Sequence, residues 1–381
     1  MVNPGKRPRV VYWNNIPAPY MVERFNAVAA RGSLEFEAWF SARSHQERSW
    51  NVDEATWRFN YRFLPSVRLG RWAVAIPTPL LRRRRPNLMV SLYESSSFVA
   101  GWWMAHMGGV RTAFWTEVTF DAWVRRRLWK ELLKRYLFRR VDAIITVGED
   151  GRRFALRYGA EPNRILYAPH VIDVEHFRRG SALARPRRTE LRRTLGVSGT
   201  VILYVGRLWE GKGLSYLIEA FGHVQRRRGE VTLLLVGDGV MEPALRARAL
   251  EHRLNVVFAG FRDKAELPAI YVTADVFVFP TLGDPYGLVV DEAMACSLPV
   301  ITTSAVGELG ARMIDGETGI VVAPANTEAL REAMERCIDD PESMKRMGAA
   351  ASEAVAGRTP QRWAADFERA VFATLKRTHH P

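Results

Sequence analysis

The strongest restriction on the fold is an alternation, run through twice, of short β-branched segments with longer segments of helical periodicity. In the first half the strand-like runs fall at 10–13, 34–40, 88–91, 111–115, 143–147 and 165–167, with helical patterns between them, notably at 22–30 and 122–140. In the second half they fall at 201–205, 232–236, 256–259, 276–279, 300–302 and 319–322, again separated by helices. Strands spaced by helices in this way build a parallel sheet. The chain has 381 residues, more than one ordinary domain holds, so two α/β doubly wound domains are predicted. The predicted boundaries are 1–178 for the first domain, 179–198 for an Arg-rich linker with a short entry helix, 199–359 for the second domain and 360–381 for a terminal helix. That last segment spaces Trp363, Phe367, Val371, Phe372 and Leu375 as a helix does, so that it closes one domain or crosses back to the other. Ligands of doubly wound domains gather beyond the carboxyl ends of the strands.

Formal net charge is +14, concentrated at 82–85, 125–140, 178–193 and 226–228. Such an excess suits an anionic partner (nucleic acid, membrane surface or phosphorylated substrate) or simply solvated helix faces. Cys296 and Cys337 make no disulfide framework, which predicts a reducing, cytoplasmic setting. The first residues lack the apolar stretch of a signal peptide, and the longest apolar run, 96–110, is too short and interrupted to span a bilayer. Segment 124–140 places Leu128, Trp129, Leu132, Leu133, Tyr136 and Leu137 on one broad stripe among arginines and lysines. Such a basic amphipathic helix can lie on an anionic bilayer or, the reading favoured here, cover a sheet with its stripe inward, leaving the arginines to face an anionic membrane surface. Trp72, Trp102 and Trp103 suit either core packing or an acceptor groove.

The residues that carry chemistry stand in the second half. In VILYVGRLWEGKGL, 201–214, a strand ends at Gly206, Arg207 follows, and Lys212 stands where the next helix begins. Gly206 lets an anion approach the backbone. Arg207 offers a planar donor fork, and Lys212 a mobile charge near a positive helix end. Together they suit a diphosphate clamp, or else a strand end with surface charges; the spacing is not that of a Walker loop. In GDPYGLVVDEAMACSLPV, 283–300, Asp284 lies in a turn and Glu292 inside a helix predicted at 287–296. Both carboxylates can face one site from different heights. A buried helical Glu needs hydrogen-bond donors, which a pair of sugar hydroxyls supplies. The N–H groups near Gly287 and Leu288 are placed to meet phosphate oxygens. Asp284 equally suits a helix cap, and Glu292 a solvated face.

These two segments, with LLLVGDGV, FAGFRDKAELPAIYVTADVFVFPT and DGETGIVV, resemble the donor-binding half of the GT4 family of retaining glycosyltransferases. The fold that this resemblance implies is GT-B, two Rossmann-like doubly wound domains facing across a cleft. The resemblance covers 201–322 and extends more weakly upstream through ITVGEDGRR and YAPHVIDVEHF. It implies that Glu292 binds the ribose hydroxyls of a nucleotide-sugar, UDP- or GDP-linked, with no cofactor. Asp284, one methylene shorter than the family's Glu, would contact the donor sugar near the reacting carbon. Arg207 and Lys212 match the diphosphate ligands beside Gly206. Phe261 and Arg262 match the segment lying against the base, and Tyr286, Gly287 and Leu288 fall in the donor-binding turn. In the first half, the loop NNIPAPYMVERFN stands where the family often has a Gly-rich loop, and offers Asn15 and Tyr20 as candidate acceptor contacts. Glu117, in AFWTEVTFD, stands at or near the place of a family His. His170, where the family has Asn-Gly-Val-Asp and this chain His-Val-Ile-Asp, reads as a hinge or core residue rather than a base.

The resemblance implies attack on the face from which the diphosphate leaves, with a leaving oxygen taking the acceptor's proton. No Asp-x-Asp triplet and no His/Cys cluster is present, so metal-independent catalysis is predicted. The implied acceptor is a growing glycan or glycolipid of the cell envelope, reached from the cytosolic side. Two rivals stand beside this reading. One is a GT-B epimerase acting on the nucleotide-sugar itself; the other is a basic nucleic-acid-binding protein, although no aromatic RNA platform or recognition helix is evident.

Overall fold

The computed structural model describes residues 6–43, 53–69, 72–81, 85–117 and 128–377. The chain divides into two units, residues 1–170 with 360–381, and residues 171–359.

In the first unit the strands are β1 (Arg9–Asn14), β2 (Glu35–Phe40), β3 (Asn60–Phe63), β4 (Ser66–Leu69), β5 (Trp72–Ala75), β6 (Leu88–Ser91), β7 (Arg111–Thr116), β8 (Ala143–Thr146) and β9 (Ile165–Tyr167). The helices between them are α1 (Pro19–Arg31), α2 (Ser96–Met107), α3 (Leu128–Arg140) and α4 (Glu149–Arg157). Seven strands pair in the order β3-β2-β1-β6-β7-β8-β9, all parallel. A sheet covered on both faces needs near-continuous apolar runs, and β1, with four consecutive buried residues from Val10 to Trp13, meets that need. Strand β3 was not predicted because it is an edge strand with an exposed first half and no buried run to read. The antiparallel hairpin β4–β5, also unpredicted, stands apart from the main sheet.

The terminal helix, Pro360–Lys376, belongs to this first unit. It buries Trp363, Phe367 and Val371. Trp363 stacks on Phe367 at 5.0 Å and lies 5.7 Å from the Trp115 ring and 6.4 Å from the Phe25 ring. Arg31 Nε donates to Glu368 at 2.6 Å, and Arg111 Nη1 to the Thr374 carbonyl at 2.8 Å.

In the second unit α5 (Val174–Ala184) and α6 (Arg188–Leu195) precede β10 (Thr200–Val205). Then follow α7 (Leu214–Arg228), β11 (Val231–Val236), α8 (Glu242–Glu251), β12 (Val256–Gly260), α9 (Leu267–Thr273), β13 (Val276–Phe279), α10 (Leu288–Ala295), β14 (Val300–Thr303), β15 (Ile320–Val322), α11 (Thr327–Asp339) and α12 (Pro341–Val355). The strand order β12-β11-β10-β13-β14-β15 is that of a doubly wound sheet, with its switch of direction between β10 and β13.

Residues 179–198 hold the expected short entry helix, α6, but they belong to this unit rather than linking two, and its boundary falls after His170 rather than at 178. Arg188 and Arg192 of α6 each donate to Asp275 at 2.5 Å, and their Nε atoms reach the carbonyls of Val272 and Thr273 at 2.9 and 2.8 Å. Asp275 also accepts the Val201 N–H at 2.8 Å. These two arginines of the basic run therefore tie α6 to the sheet.

Helix α3 also departs from expectation. Leu137 and Phe138 are buried, but Leu128, Trp129 and Leu132 are 83, 58 and 66% exposed, so the stripe does not turn inward along its length. Residues 124–127 of that segment lie outside the described residues, as do 82–84 of the first basic run. Trp102 is buried in the core and Trp103 is exposed, while the side chain of Trp72 lies outside the described residues. Among the described residues no helix is long and apolar enough to cross a membrane.

Candidate functional site

At the carboxyl ends of β10 and β13 stand Gly206, Arg207, Lys212, Asp284 and, on α10, Glu292, while Phe261 and Arg262 follow β12. β10 pairs directly with β13, which makes the loops that leave these strands neighbours. Leu282 N–H and Thr281 Oγ1 both donate to the Gly211 carbonyl, at 2.9 and 3.1 Å. Gly213 closes the first loop with φ +67°, and a Cβ there would lie 2.0 Å from the Pro280 carbonyl oxygen. Only glycine allows both the left-handed turn and the approach of the two loops. Gly206, at the end of β10, also has positive φ, and a Cβ would meet the Tyr204 hydroxyl at 2.8 Å.

Lys212 Nζ pairs with Asp284 Oδ2, and both side chains are largely buried. The ammonium lies 5.0 Å from the centre of the Phe279 ring. Asp284 Oδ1 accepts the N–H of Tyr286 at 2.9 Å and also the N–H of Gly287. The Gly287 N–H, expected to be open to phosphate, is thus already engaged, and Leu288 is the first residue of α10. Arg207 is exposed, and its guanidinium lies 5.6 Å from the centre of the Trp209 ring. Its carbonyl accepts from the buried Tyr204 hydroxyl at 2.9 Å.

Glu292, one turn into α10, is partly buried, and its Oε2 accepts from the Tyr271 hydroxyl at 2.9 Å. Burial pushes its carboxyl up to about 7, against the Tyr271 bond and the Lys264 charge; Asp291 adds to the rise. Burial lowers the Lys264 ammonium to about 8, with Glu292 opposing. Arg262 donates to Glu266 at 3.2 Å beside the exposed Phe261.

Behind the turn stands a brace that the motif reading missed. Arg312 and Asp291 form a fully buried ion pair at 2.5 Å. Arg312 also donates to the Tyr286 carbonyl and, at 3.4 Å, to the Gly287 carbonyl, while Arg358 donates to the Tyr286 hydroxyl. The partners are 21 to 72 residues apart, so no local spacing announces them.

A second group lies in the first unit, beyond β7. Glu117 Oε1 accepts from Trp115 Nε1 at 2.9 Å and stands 3.1 Å from His170 Nε2. Burial alone would raise this carboxyl, but the His170 charge and hydrogen bond, with Trp115 and Arg24, hold it at about 2. His170 is buried, as a core residue would be, yet it faces a carboxylate. The Tyr20 ring meets His170 edge-on at 6.1 Å, and the buried Arg24 guanidinium lies 4.8 Å from the centre of the Tyr20 ring. Asn15 is exposed, its backbone tied to Asn14 and Ala42. Among the described residues, no group of three or more His, Cys, Asp or Glu is arranged to hold a metal ion.

Residues 199–340 match the family described as glycosyl transferases group 1. That match lies within the second unit, where the GT4-like motifs also stand. A relative, the alpha-D-kanosaminyltransferase of Streptomyces kanamyceticus, is 30% identical over 219 residues, covering 56% of this chain and 55% of that protein. Glycogen synthase of Mycobacterium tuberculosis is 33% identical over 211 residues, 55% of this chain and 48% of its own. The chain spans about half the length of the curated relatives it matches. Among solved structures, Anabaena HepE in complex with UDP and glucose superimposes with a TM-score of 0.78 at 15% identity, covering 96% of this chain and all of that one. The fold is GT-B, as the group 1 motifs implied.

Proposed function

We propose that this chain is a retaining glycosyltransferase that moves a sugar from a UDP- or GDP-linked donor to a hydroxyl of a glycan or glycolipid of the cell envelope. One observation carries the reading: Arg207, Lys212, Asp284 and Glu292 gather on the loops and helix that leave the adjacent strands β10 and β13. Glycosyltransferase relatives support it, and UDP or UDP-glucose bound to HepE supports a uridine donor.

In this reading Arg207 and Lys212 take the diphosphate, the end of α10 at Leu288 adds its partial positive charge, and Glu292 accepts from the ribose hydroxyls. Phe261 and Arg262 lie against the base. The C–O bond to the diphosphate breaks while the acceptor oxygen bonds to the same carbon from the same face. The acceptor's proton passes to a leaving phosphate oxygen, so no protein base is required. The cations stabilise charge as it develops on the leaving group. Glu117, held ionised by its neighbours, steadies the positive reacting carbon rather than moving a proton. Tyr20 and Asn15 contact the acceptor. Catalysis needs no metal ion, so turnover survives chelation.

The test is a thermal-shift panel of UDP-, GDP-, ADP- and TDP-sugars: a ligand at 100-fold its dissociation constant adds ~2.7 kcal/mol of stability. Silence across the panel would refute the reading. The exposed Leu128, Trp129 and Leu132, with Lys130, Arg135, Arg139 and Arg140 on the same helix, support docking on an anionic bilayer. Co-flotation with vesicles containing phosphatidylglycerol but not with pure phosphatidylcholine is the expected result.

A further inference from the structure

We infer that Asp284 is the counter-anion of Lys212, and that it yields Lys212 to the diphosphate when a nucleotide-sugar binds. This rests on the donor-site reading above and deepens it. Both carboxylate oxygens of Asp284 are engaged: Oδ1 by the N–H groups of Tyr286 and Gly287, Oδ2 by Lys212 Nζ. Its backbone is held as well, its N–H donating to the Ala305 carbonyl at 3.2 Å and its carbonyl accepting the Gly307 N–H at 2.8 Å. The two side chains are only 15% and 17% exposed. Asp284 is therefore fixed to its own loop, and a carboxylate one methylene longer would stand farther out from those N–H groups.

A diphosphate outbids one carboxylate for an ammonium, because it carries more charge on more acceptor oxygens. When Lys212 moves to the diphosphate, Asp284 Oδ2 loses its donor while it stays largely buried, which is costly. A hydroxyl of the transferred sugar restores a donor to that oxygen. A bare nucleoside diphosphate does not, and it meets a nearby like charge as well. Asp284 thus disfavours the leaving product relative to the sugar-bearing donor, and acts as a specificity-determining residue.

The experiment measures UDP and UDP-glucose affinity by calorimetry in the full chain, in Asp284→Asn and in the same variant combined with Lys212→Met. Asn keeps an acceptor for the Tyr286 and Gly287 N–H groups and removes the charge. UDP is expected to bind about tenfold tighter to Asp284→Asn, the size of one screened unit-charge repulsion. UDP-glucose gains less, and the gain for UDP shrinks in the Lys212→Met background, where relief of the like-charge repulsion remains but there is no ammonium left to compete for. Unchanged UDP affinity with weakened UDP-glucose would mean a sugar contact alone and would overturn the inference. Weakened UDP binding would mean that Lys212 needs Asp284 for its position, which overturns it too. A wild-type chain that binds none of UDP, GDP, ADP or TDP refutes the donor site itself, a result distinct from either. Melting temperatures of the variants report whether each is folded.

Discussion

Glu292 carries a consequence that a pH titration reads directly. Its carboxyl sits at about 7 in the folded chain, against an ordinary value of roughly 4.3. The folded state therefore binds more protons than the unfolded state across that interval, and the contribution of Glu292 to stability falls as pH rises through it. Glu292→Gln should melt higher than the parent at pH 8 and nearly level with it at pH 5. Nucleotide binding should run the other way, strengthening from pH 6 to 8 as the carboxylate forms to accept ribose hydroxyls, and flattening in the variant. A variant that keeps the parent's slope would remove Glu292 from the ribose. Arg207→Ala should lower turnover about 10²-fold or more, since losing one transition-state donor costs ~3–4 kcal/mol; near-normal turnover would rule out the clamp. At this scale the sequence singled out the residues that stand at the ends of β10 and β13 in the second unit, because the two loops are continuous motifs. It did not show their pairings. Lys212 with Asp284, and Glu117 with His170, are separated by 72 and 53 positions, and only the sheet brings them together.

The turn between β13 and α10 carries Asp284, and the buried Arg312–Asp291 pair stands behind it, with Arg312 bonded to the turn's carbonyls. Both side chains are fully buried, and Arg358 Nε lies 3.8 Å from the same carboxylate. Arg312→Ala would leave Asp291 charged and buried, at a cost of ~3–5 kcal/mol. Urea denaturation measures this; a loss below ~1 kcal/mol would mean that the site reorganises and that the brace does not set the turn. The helix expected between β14 and β15 is instead only the short turn Leu309–Ala311, but strand positions in the second unit were legible to within a residue or two, as was α10, since every strand there is a short apolar run. The edge strand β3, with no buried run, and the departure of α3 from a fully inward stripe were not. In α3 periodicity reports that one face is apolar, but what covers that face is a tertiary fact.

At the scale of the whole chain, the first unit is discontinuous. Its sheet is completed by a helix that follows the entire second unit in sequence. Truncation after Thr359 removes Trp363, Phe367 and Val371 from the interior of the first unit, each worth ~1.5–3 kcal/mol of burial. The first unit of such a truncate should lose its cooperative thermal transition while residues 171–359 keep theirs, as two-wavelength calorimetric and fluorescence melts would show. An unchanged pair of transitions would mean that the terminal helix is dispensable. The spacing of Trp363, Phe367 and Val371 was readable, but the unit that receives them was not, because an apolar helical face does not name its partner. The same threading bears on synthesis. A ribosome ordinarily releases domains in order, each folding once its own residues have emerged. Here the amino-terminal part must wait, its aromatic interior uncovered, until residues 360–376 have emerged, so the unit made second is the first that can be finished.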